Sequence, residues 1–185
     1  MSLFGKVKIG LVKHLIGKIK VDSEREFYNM NAIKSIHLLY YINEPDNMMA
    51  RNLYKQLYSI LDDLRKRGIR ANLTYFASDD TITEAQKMNV TPLEASDFSK
   101  WTLKPTTDTY NSFMYGDTDV LLNLSTDICW QLEYLAQYST SKFKIGIKRE
   151  EQGAKYDFLF KPSEDTSFPL GVFEQIIKYL EVINK

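Results

Sequence analysis

The sequence predicts an α/β fold: a three-layer sandwich around a mainly parallel sheet, Rossmann-like or flavodoxin-like, preceded by a basic N-terminal helix. Three observations support this prediction: an apolar run, a helical pattern and a second apolar run in succession; a second strand and helix later in the chain; and a closing amphipathic helix. Unbroken apolar runs are typical of parallel strands covered on both faces. We expect an arm over residues 1–20 and a single α/β domain over residues 21–185.

The first βαβ unit begins with residues 34–42 (KSIHLLYYI), whose nearly unbroken apolar run predicts a buried strand. A helix should follow, with Asp46 or Asn47 as its N-cap and Gly68 just past its end. Residues 69–76 (IRANLTYF) then predict the second strand. The predicted inward face of the helix consists of apolar residues at helical spacing: Met49, Leu53, Leu57, Ile60, Leu61 and Leu64.

The middle of the chain, residues 77–118, is less regular. Its pattern predicts a short helix at 83–88, a strand near 93–98 and a turn around Pro105.

The second half returns to clear patterns. Residues 119–124 (DVLLNL) predict a buried strand, and residues 128–138 predict a helix with Leu132, Leu135 and Ala136 on its inner face. Two short strands follow at 143–148 and 156–160, and the seven residues between them leave the direction of the last strand open. The closing helix, residues 171–184, has an inward face of bulky apolar residues: Phe173, Ile176, Ile177, Leu180 and Ile183.

Composition limits the class of protein. The 185 residues have zero formal net charge, and the single cysteine, Cys129, excludes an intrachain disulfide. No apolar run reaches the roughly 20 residues of a spanning helix. Lys13 and Lys18 interrupt the apolar part of the arm, which makes it a poor secretory signal. We expect a cytoplasmic protein, peripheral at the inner membrane if the arm binds lipid.

The arm carries the strongest functional signal. It has five lysines and no acid, whereas residues 21–185 have 19 basic and 24 acidic side chains. On a helix, Phe4, Val7, Leu11, Leu15 and Ile19 share one face, which predicts an amphipathic basic helix. The opposite face carries three lysines: Lys6, Lys13 and Lys20.

Four kinds of contact fit such an arm: its own acidic body, an anionic membrane surface, a protein partner, and nucleic acid. Nucleic acid is the least favoured, because the arm has no arginine and a single aromatic residue. For a membrane or partner contact, the predicted residues combine charge and apolar surface: Lys6, Lys13, Lys20, Phe4, Leu11 and Leu15.

Polar side chains after the predicted strands define a candidate ligand crevice, because open α/β sheets bind ligands beyond the carboxyl ends of their strands. Acids and hydroxyls at helix starts are also ordinary N-caps, which is the competing interpretation. The candidates follow the first, second and 119–124 strands in turn: Asn43 and Glu44, Asp79 and Asp80, Ser125 and Asp127.

No motif supports a particular reaction. The first βα turn, INEPDN, lacks the glycines of a phosphate site, and neither GxGxxG nor GxxxxGK[ST] occurs. Asp117 and Asp119 resemble a DxD metal motif but precede their strand, which favours a turn. His37 within a strand and Cys129 early in a helix are more typical of interior residues. We therefore predict no catalytic residue, metal or cofactor.

Residues 117–148 (DTDVLLNLSTDICWQLEYLAQYSTSKFKIGIK), with YDFLF after them and IKSIHLLYYIN before, resemble a small bacterial family known only as a domain of unknown function. The resemblance covers most of the chain, and it implies a fold and a basic N-terminal segment but no activity. Residues 119–124 and 135–146 are also similar to the N-terminal Rossmann-like domain of the heptosyltransferases. Those enzymes bind the nucleotide-sugar chiefly through a second domain, so transferase activity does not carry over.

Two functional hypotheses follow. The first is a non-catalytic α/β binding module that the basic arm recruits to a membrane surface or a partner. The alternative is a degenerate glycosyltransferase-like or nucleotide-binding enzyme that uses the crevice at the strand ends.

Overall fold

The computed structural model describes residues 3–43, 47–77, 90–114 and 116–182, and its centre is a six-stranded, all-parallel sheet. The strands are β1 (Ser35–Ile42), β2 (Arg70–Ala77), β3 (Val90–Leu93), β4 (Val120–Asn123), β5 (Phe143–Ile147) and β6 (Phe158–Phe160). They lie in the order β3-β2-β1-β4-β5-β6. This is the Rossmann-like order, so the predicted α/β class is confirmed and the flavodoxin-like order is not adopted.

The described residues form five α-helices: α1 (Leu3–Lys18), α2 (Asn47–Lys66), α3 (Thr107–Met114), α4 (Trp130–Tyr138) and α5 (Leu170–Val182). In the described part of the chain, none of them is long and apolar enough to cross a membrane.

One face of the sheet is covered by α2 and α5. Of the predicted inward residues of α2, Leu57, Ile60, Leu61 and Leu64 are fully buried on this face and Leu53 packs partly against them. The side chain of Met49 lies outside the described part of the structure. Gly68 follows the helix at φ 76°, a left-handed conformation that favours glycine and ends the helix as predicted. On α5, four of the five predicted residues are buried in the same cluster, and Ile183 lies outside the described residues.

The other face is covered by α3 and α4. Successive residues of β1 alternate between the two sides, with Leu38 in the α2/α5 cluster and Leu39 in the α3/α4 cluster. The predicted inner face of α4 is fully buried against the sheet: Leu132, Leu135 and Ala136. The outer side of α4 is also buried, because α1 lies across it as an additional layer.

In the middle of the chain one sequence prediction is wrong, one falls outside the described residues, and one helix was missed. The strand predicted near 93–98 is wrong beyond residue 93, because Ala95–Asp97 forms a 3-10 turn in which the Asp97 carboxylate accepts the Glu94 N–H at 2.7 Å. Helix α3 was not predicted. The helix predicted at 83–88 lies outside the described residues.

The last strand, β6, is parallel to β5, which settles the direction that the sequence left open. Ten residues, 148–157, connect the two strands without a helix. The strand itself is shorter than predicted. A parallel crossover this short needs side chains to hold its backbone, and the polar groups that do so lie at the carboxyl edge of the sheet.

Candidate functional site

The strand order reverses between β1 and β4, so the expected ligand crevice lies beyond the carboxyl ends of these two strands. Asn43 follows β1 and is exposed, and Asp127 follows β4 and is also exposed. Ser125, in contrast, is fully buried. Three predicted crevice residues lie outside the described part of the chain: Glu44, Asp79 and Asp80.

Ser125 joins the two strands at this point. Its Oγ accepts the backbone N–H of Tyr41 at 3.0 Å, and its own N–H donates to Oδ1 of Asn123 at 3.1 Å. Asn43 also reaches Tyr41, whose hydroxyl donates to Oδ1 of Asn43 at 3.2 Å. The structure therefore brings Asn43 and Ser125 together around Tyr41, and the Ser125 hydroxyl links the backbones of β1 and β4.

A buried polar network lies next to this junction, centred on the carboxylate of Glu133 in α4, which is fully buried. Oε1 accepts hydrogen bonds from Arg149, from the Tyr156 hydroxyl at 2.9 Å and from the Asn123 amide at 3.3 Å. Oε2 accepts the backbone N–H groups of Gly153 at 2.9 Å and Ala154 at 2.8 Å. Five donors thus converge on one carboxylate.

This network holds the β5–β6 connection in place. The backbone approaches Glu133 so closely that a Cβ at Gly153 would lie 2.8 Å from the Glu133 Cβ. Arg149, whose side chain is 6% exposed, also donates to the backbone oxygen of Asp127 at 3.1 Å. The network therefore ties together α4, the loop after β4 and the loop after β5.

The Glu133 network has a structural role. Burial raises the pKa of Tyr156 well above its ordinary value, with the Glu133 charge adding to the effect, so its hydroxyl stays a neutral donor. Both Glu133 oxygens are occupied by donors from the protein itself.

The other polar residues singled out in the sequence are also engaged within the fold. The His37 Nε2 lies 2.8 Å from Oγ1 of Thr74, and burial lowers the pKa of His37 to about 4, so its ring is neutral near pH 7. Cys129 is buried, which raises the pKa of its thiol to about 12. Asp119 accepts the backbone N–H groups of Lys34 and Ser35 at 2.8 and 2.9 Å. In the described residues, no three His, Cys, Asp or Glu side chains are grouped as metal ligands.

Helix α1 docks on the body through one face. Val12 and Ile16 are fully buried in a cluster with Trp130 and Tyr134 of α4. The amide of Gln137 also donates to the backbone oxygen of Ile19 at 3.1 Å. The arm is therefore a packed helix.

The docked face differs from the apolar face that the sequence suggested. Ile9, Val12 and Ile16 form a second apolar stripe, rotated by about 100° from the stripe that contains Phe4 and Leu11. The second stripe faces α4, so much of the first remains exposed. Val7 is 66% exposed and Leu11 is 46% exposed.

Five of the six predicted contact residues of the arm have described side chains, and these fall into three groups. Lys13 lies against the body: its Nζ pairs with Glu151 at 3.1 Å and lies 5.4 Å from the ring centre of Trp130. Leu15 packs partly against the docked cluster. Lys6, Leu11 and Lys20 are exposed, as is the Lys13 side chain, which is 41% exposed despite its ion pair. Phe4 belongs to α1, but its side chain lies outside the described part of the structure.

A family model described as a family of unknown function, DUF6913, matches residues 8–183. The chain belongs to the DUF6913 family. Membership in DUF6913 confirms the expected relation to a family of unknown function and assigns no activity. Neither the curated proteins nor the solved structures contain a match. The comparisons show no resemblance to the heptosyltransferases, so that part of the sequence interpretation gains no support.

Sequence reasoning missed two features. The Glu133 network joins residues that are 10 to 23 positions apart with no periodic spacing, and no sequence signal marks it. Trp101, which is 67% exposed, did have a signal: it is a single large aromatic residue in the polar segment SKWTLK. The Nζ of Lys8 donates to the backbone oxygen of Lys100 at 2.8 Å, which places this segment beside α1.

Proposed function

We propose that this protein is a non-catalytic α/β binding module that associates peripherally with an anionic membrane surface through the exposed face of α1. The observation that carries the proposal is the division of α1 into two faces. Val12 and Ile16 anchor the helix to the body, while Val7 and Leu11 stand in water. An apolar face kept exposed on a well-anchored helix is typical of an interaction surface.

The charges around this face favour an anionic partner. Lys6 and Lys18 are exposed on α1, Lys20 is exposed just after its end, and the first twenty residues contain no acid. A lysine near an anionic lipid surface contributes about 1 kcal/mol, so three contribute about 3 kcal/mol, or about a hundredfold in partitioning. The flexible lysine stems allow the ammonium groups to reach the headgroups while Val7 and Leu11 enter the acyl boundary.

A membrane fits this surface better than nucleic acid or a protein groove. Nucleic-acid surfaces usually add arginine and stacking aromatics to their lysines, and α1 has no arginine. A groove for a protein helix selects a narrow apolar stripe, whereas the exposed side of α1 mixes apolar residues with lysines. A bilayer interface accommodates that mixture because both environments meet there.

The test is co-sedimentation of the full chain with vesicles of phosphatidylcholine alone and of phosphatidylcholine with phosphatidylserine. We expect binding to the anionic vesicles that weakens steeply as salt is raised, and little binding to the neutral ones. A Lys6→Gln, Lys18→Gln, Lys20→Gln triple variant should lose most of the binding.

A matched control uses three exposed lysines elsewhere in the chain: Lys55→Gln, Lys148→Gln, Lys161→Gln. It removes the same charge and should retain more than half of the wild-type binding. Equal loss in both triple variants would show a response to net charge only, and binding independent of anionic lipid would remove the membrane proposal.

Ligand binding in the β1/β4 crevice is a second candidate function. Its support is the topological switch point, where Asn43 and Asp127 are exposed beside the Tyr41–Ser125 link. A thermal-shift screen with nucleotides, nucleotide-sugars and divalent cations tests this candidate, because ligand at 100 times Kd adds about 2.7 kcal/mol of stability. A hit that Asp127→Asn weakens would support the crevice, and no shift with any compound would remove it.

A further inference from the structure

Trp101 is the most exposed aromatic side chain in the described part of the protein, at 67%. It lies in residues 99–104 (SKWTLK), which we name the tryptophan loop; this loop contains two exposed lysines, Lys100 and Lys104, and no acid. Tryptophan combines a large apolar ring with one N–H donor and is enriched at membrane interfaces. The composition of this loop therefore resembles that of the exposed side of α1.

The loop has a fixed conformation. Its ends are joined by a hydrogen bond from the Ser99 N–H to the Lys104 oxygen at 2.8 Å, and the Leu103 N–H donates to the Ser99 oxygen at 2.8 Å. An isolated bridge between Phe98 and Pro105 closes the base of the loop. Trp101 is therefore presented on a closed loop, which lowers the entropy lost when it makes a contact.

Leu103 shows how the loop is oriented. It has φ 55°, a left-handed conformation that costs a branched residue such as leucine about 1 kcal/mol or more. Its side chain packs against the α1–α4 cluster that contains Val12, Ile16 and Trp130. Leu103 of the loop thus packs against the body, while Trp101 is 67% exposed.

The loop borders the exposed side of α1. The Lys8 Nζ donates to the Lys100 oxygen at 2.8 Å. At about 100° per residue, Lys8 lies on α1 between the docked Val12 and the exposed Leu11. The tryptophan loop therefore lies along the same flank as Leu11. The opposite flank faces the acidic Glu151, which pairs with Lys13.

We propose that the tryptophan loop is a second lipid-contacting element, so that Trp101 enters the anionic bilayer interface next to Leu11 while Lys100 and Lys104 approach the headgroups. This inference rests on the proposed membrane association and adds the element that contacts the lipid beside α1. Two adjoining contacts on one rigid body bind more tightly than either alone, because the second contact forms without a further loss of translational freedom.

The test uses the two tryptophans of the chain. In a Trp130→Phe variant, Trp101 is the sole tryptophan, and its fluorescence reports its own environment. With anionic vesicles we expect its emission to move to shorter wavelength and to be quenched by lipids brominated on the acyl chain. In parallel, co-sedimentation of Trp101→Ala in the otherwise natural chain should show roughly tenfold weaker partitioning.

The matched control is Tyr179→Ala. Tyr179 is an aromatic residue 42% exposed on α5, across the sheet from α1, and this variant should bind vesicles as the natural protein does. Urea unfolding of both variants verifies that they are folded.

The outcomes separate the two proposals. If vesicles bind but Trp101 is neither shifted nor quenched and Trp101→Ala binds normally, the loop inference is overturned and the α1 proposal stands. If the natural protein binds no anionic vesicle, both proposals are overturned.

Discussion

The Glu133 network and the exposed side of α1 lie on opposite sides of α4. The charges of the network are buried and paired within the protein, whereas most lysines of α1 face solvent. Glu133 is fully buried, and five donors of the protein occupy its carboxylate. On the exposed side of α1, Val7 and Leu11 are in water beside lysines. Because the Glu133 carboxylate is fully engaged by donors of the protein, we assign the network a structural role, although the buried Nε of Arg149 has no hydrogen-bond partner in the described part of the chain. The second region gains free energy only when something covers it.

A polar residue in a sequence can be interpreted either as part of a ligand site or as a residue that stabilises the fold. Ser125 was a candidate residue of the ligand crevice, and Asp119 belonged to a DxD pattern that its position assigned to a turn. In the structure both accept backbone N–H groups that join β1 to β4. No sequence pattern marks Glu133, yet its carboxylate accepts five hydrogen bonds. A side chain's position relative to backbone donors decides its role, and sequence spacing does not reveal that position.

The largest expected effect comes from removing the centre of the network. Glu133→Ala leaves Arg149 buried without its partner carboxylate and frees the N–H groups of Gly153 and Ala154. Loss of one partner of a buried ion pair costs about 3–5 kcal/mol. Urea unfolding measures this cost, and Glu150→Ala, at an exposed acid, should change stability by less than about 0.5 kcal/mol. Similar values for the two variants would contradict the structural role of Glu133.

Acid pH should lower the free energy of unfolding, because His37 is a neutral ring in the folded protein. Its pKa is about 4 in the folded protein and 6.5 in a free side chain, so the unfolded chain binds more protons between these values. The stabilisation that depends on the neutral ring is therefore fully present above pH 6.5. Up to roughly 3 kcal/mol of it is lost as the pH falls from 6.5 through 4. His37→Gln should flatten the change in urea midpoint between pH 7 and pH 4.5. An unchanged pH profile in that variant would assign the acid sensitivity to other groups.

The smallest expected effects on stability come from alanine substitutions at two glycines, one in each region, and these effects should have opposite signs. At Gly153 a Cβ would lie 2.8 Å from the Glu133 Cβ, so Gly153→Ala should cost about 1–3 kcal/mol. At Gly10, within α1, a Cβ meets nothing within 4 Å, so Gly10→Ala should stabilise the protein by up to about 1 kcal/mol. Thermal unfolding of both variants measures the difference. If Gly10→Ala lowered the stability instead, other residues of the protein would have to pack against this side of α1.

The sequence predicted the elements whose burial follows a simple period. The α2 residues Leu57, Ile60 and Leu64 recur with the helical repeat, and β1 is a continuous apolar run, so both were found within a few residues of their ends. The strand predicted near 93–98 failed because a 3-10 turn, held by Asp97, replaces its second half. Propensity in so short a segment is overridden by side-chain hydrogen bonds.

Helix α1 shows why a site is harder to predict than an element. Its sequence contains two apolar stripes at helical spacing, one through Leu11 and one through Val12 and Ile16. The period predicts a helix with either stripe, and only the surface of α4 decides which one is docked. The tryptophan loop was missed because its place beside α1 depends on a contact between Lys8 and Lys100, 92 residues apart in sequence.

The most direct test of the two-faced helix compares Ile16→Ala with Leu11→Ala in the full chain, with urea unfolding and vesicle co-sedimentation measured for each. Ile16→Ala should cost about 2–5 kcal/mol of stability and leave the binding of folded protein to anionic vesicles intact. Leu11→Ala should change stability by less than about 0.5 kcal/mol and weaken vesicle binding by about three- to tenfold. Undiminished vesicle binding by Leu11→Ala, or a stability loss equal to that of Ile16→Ala, would contradict the account.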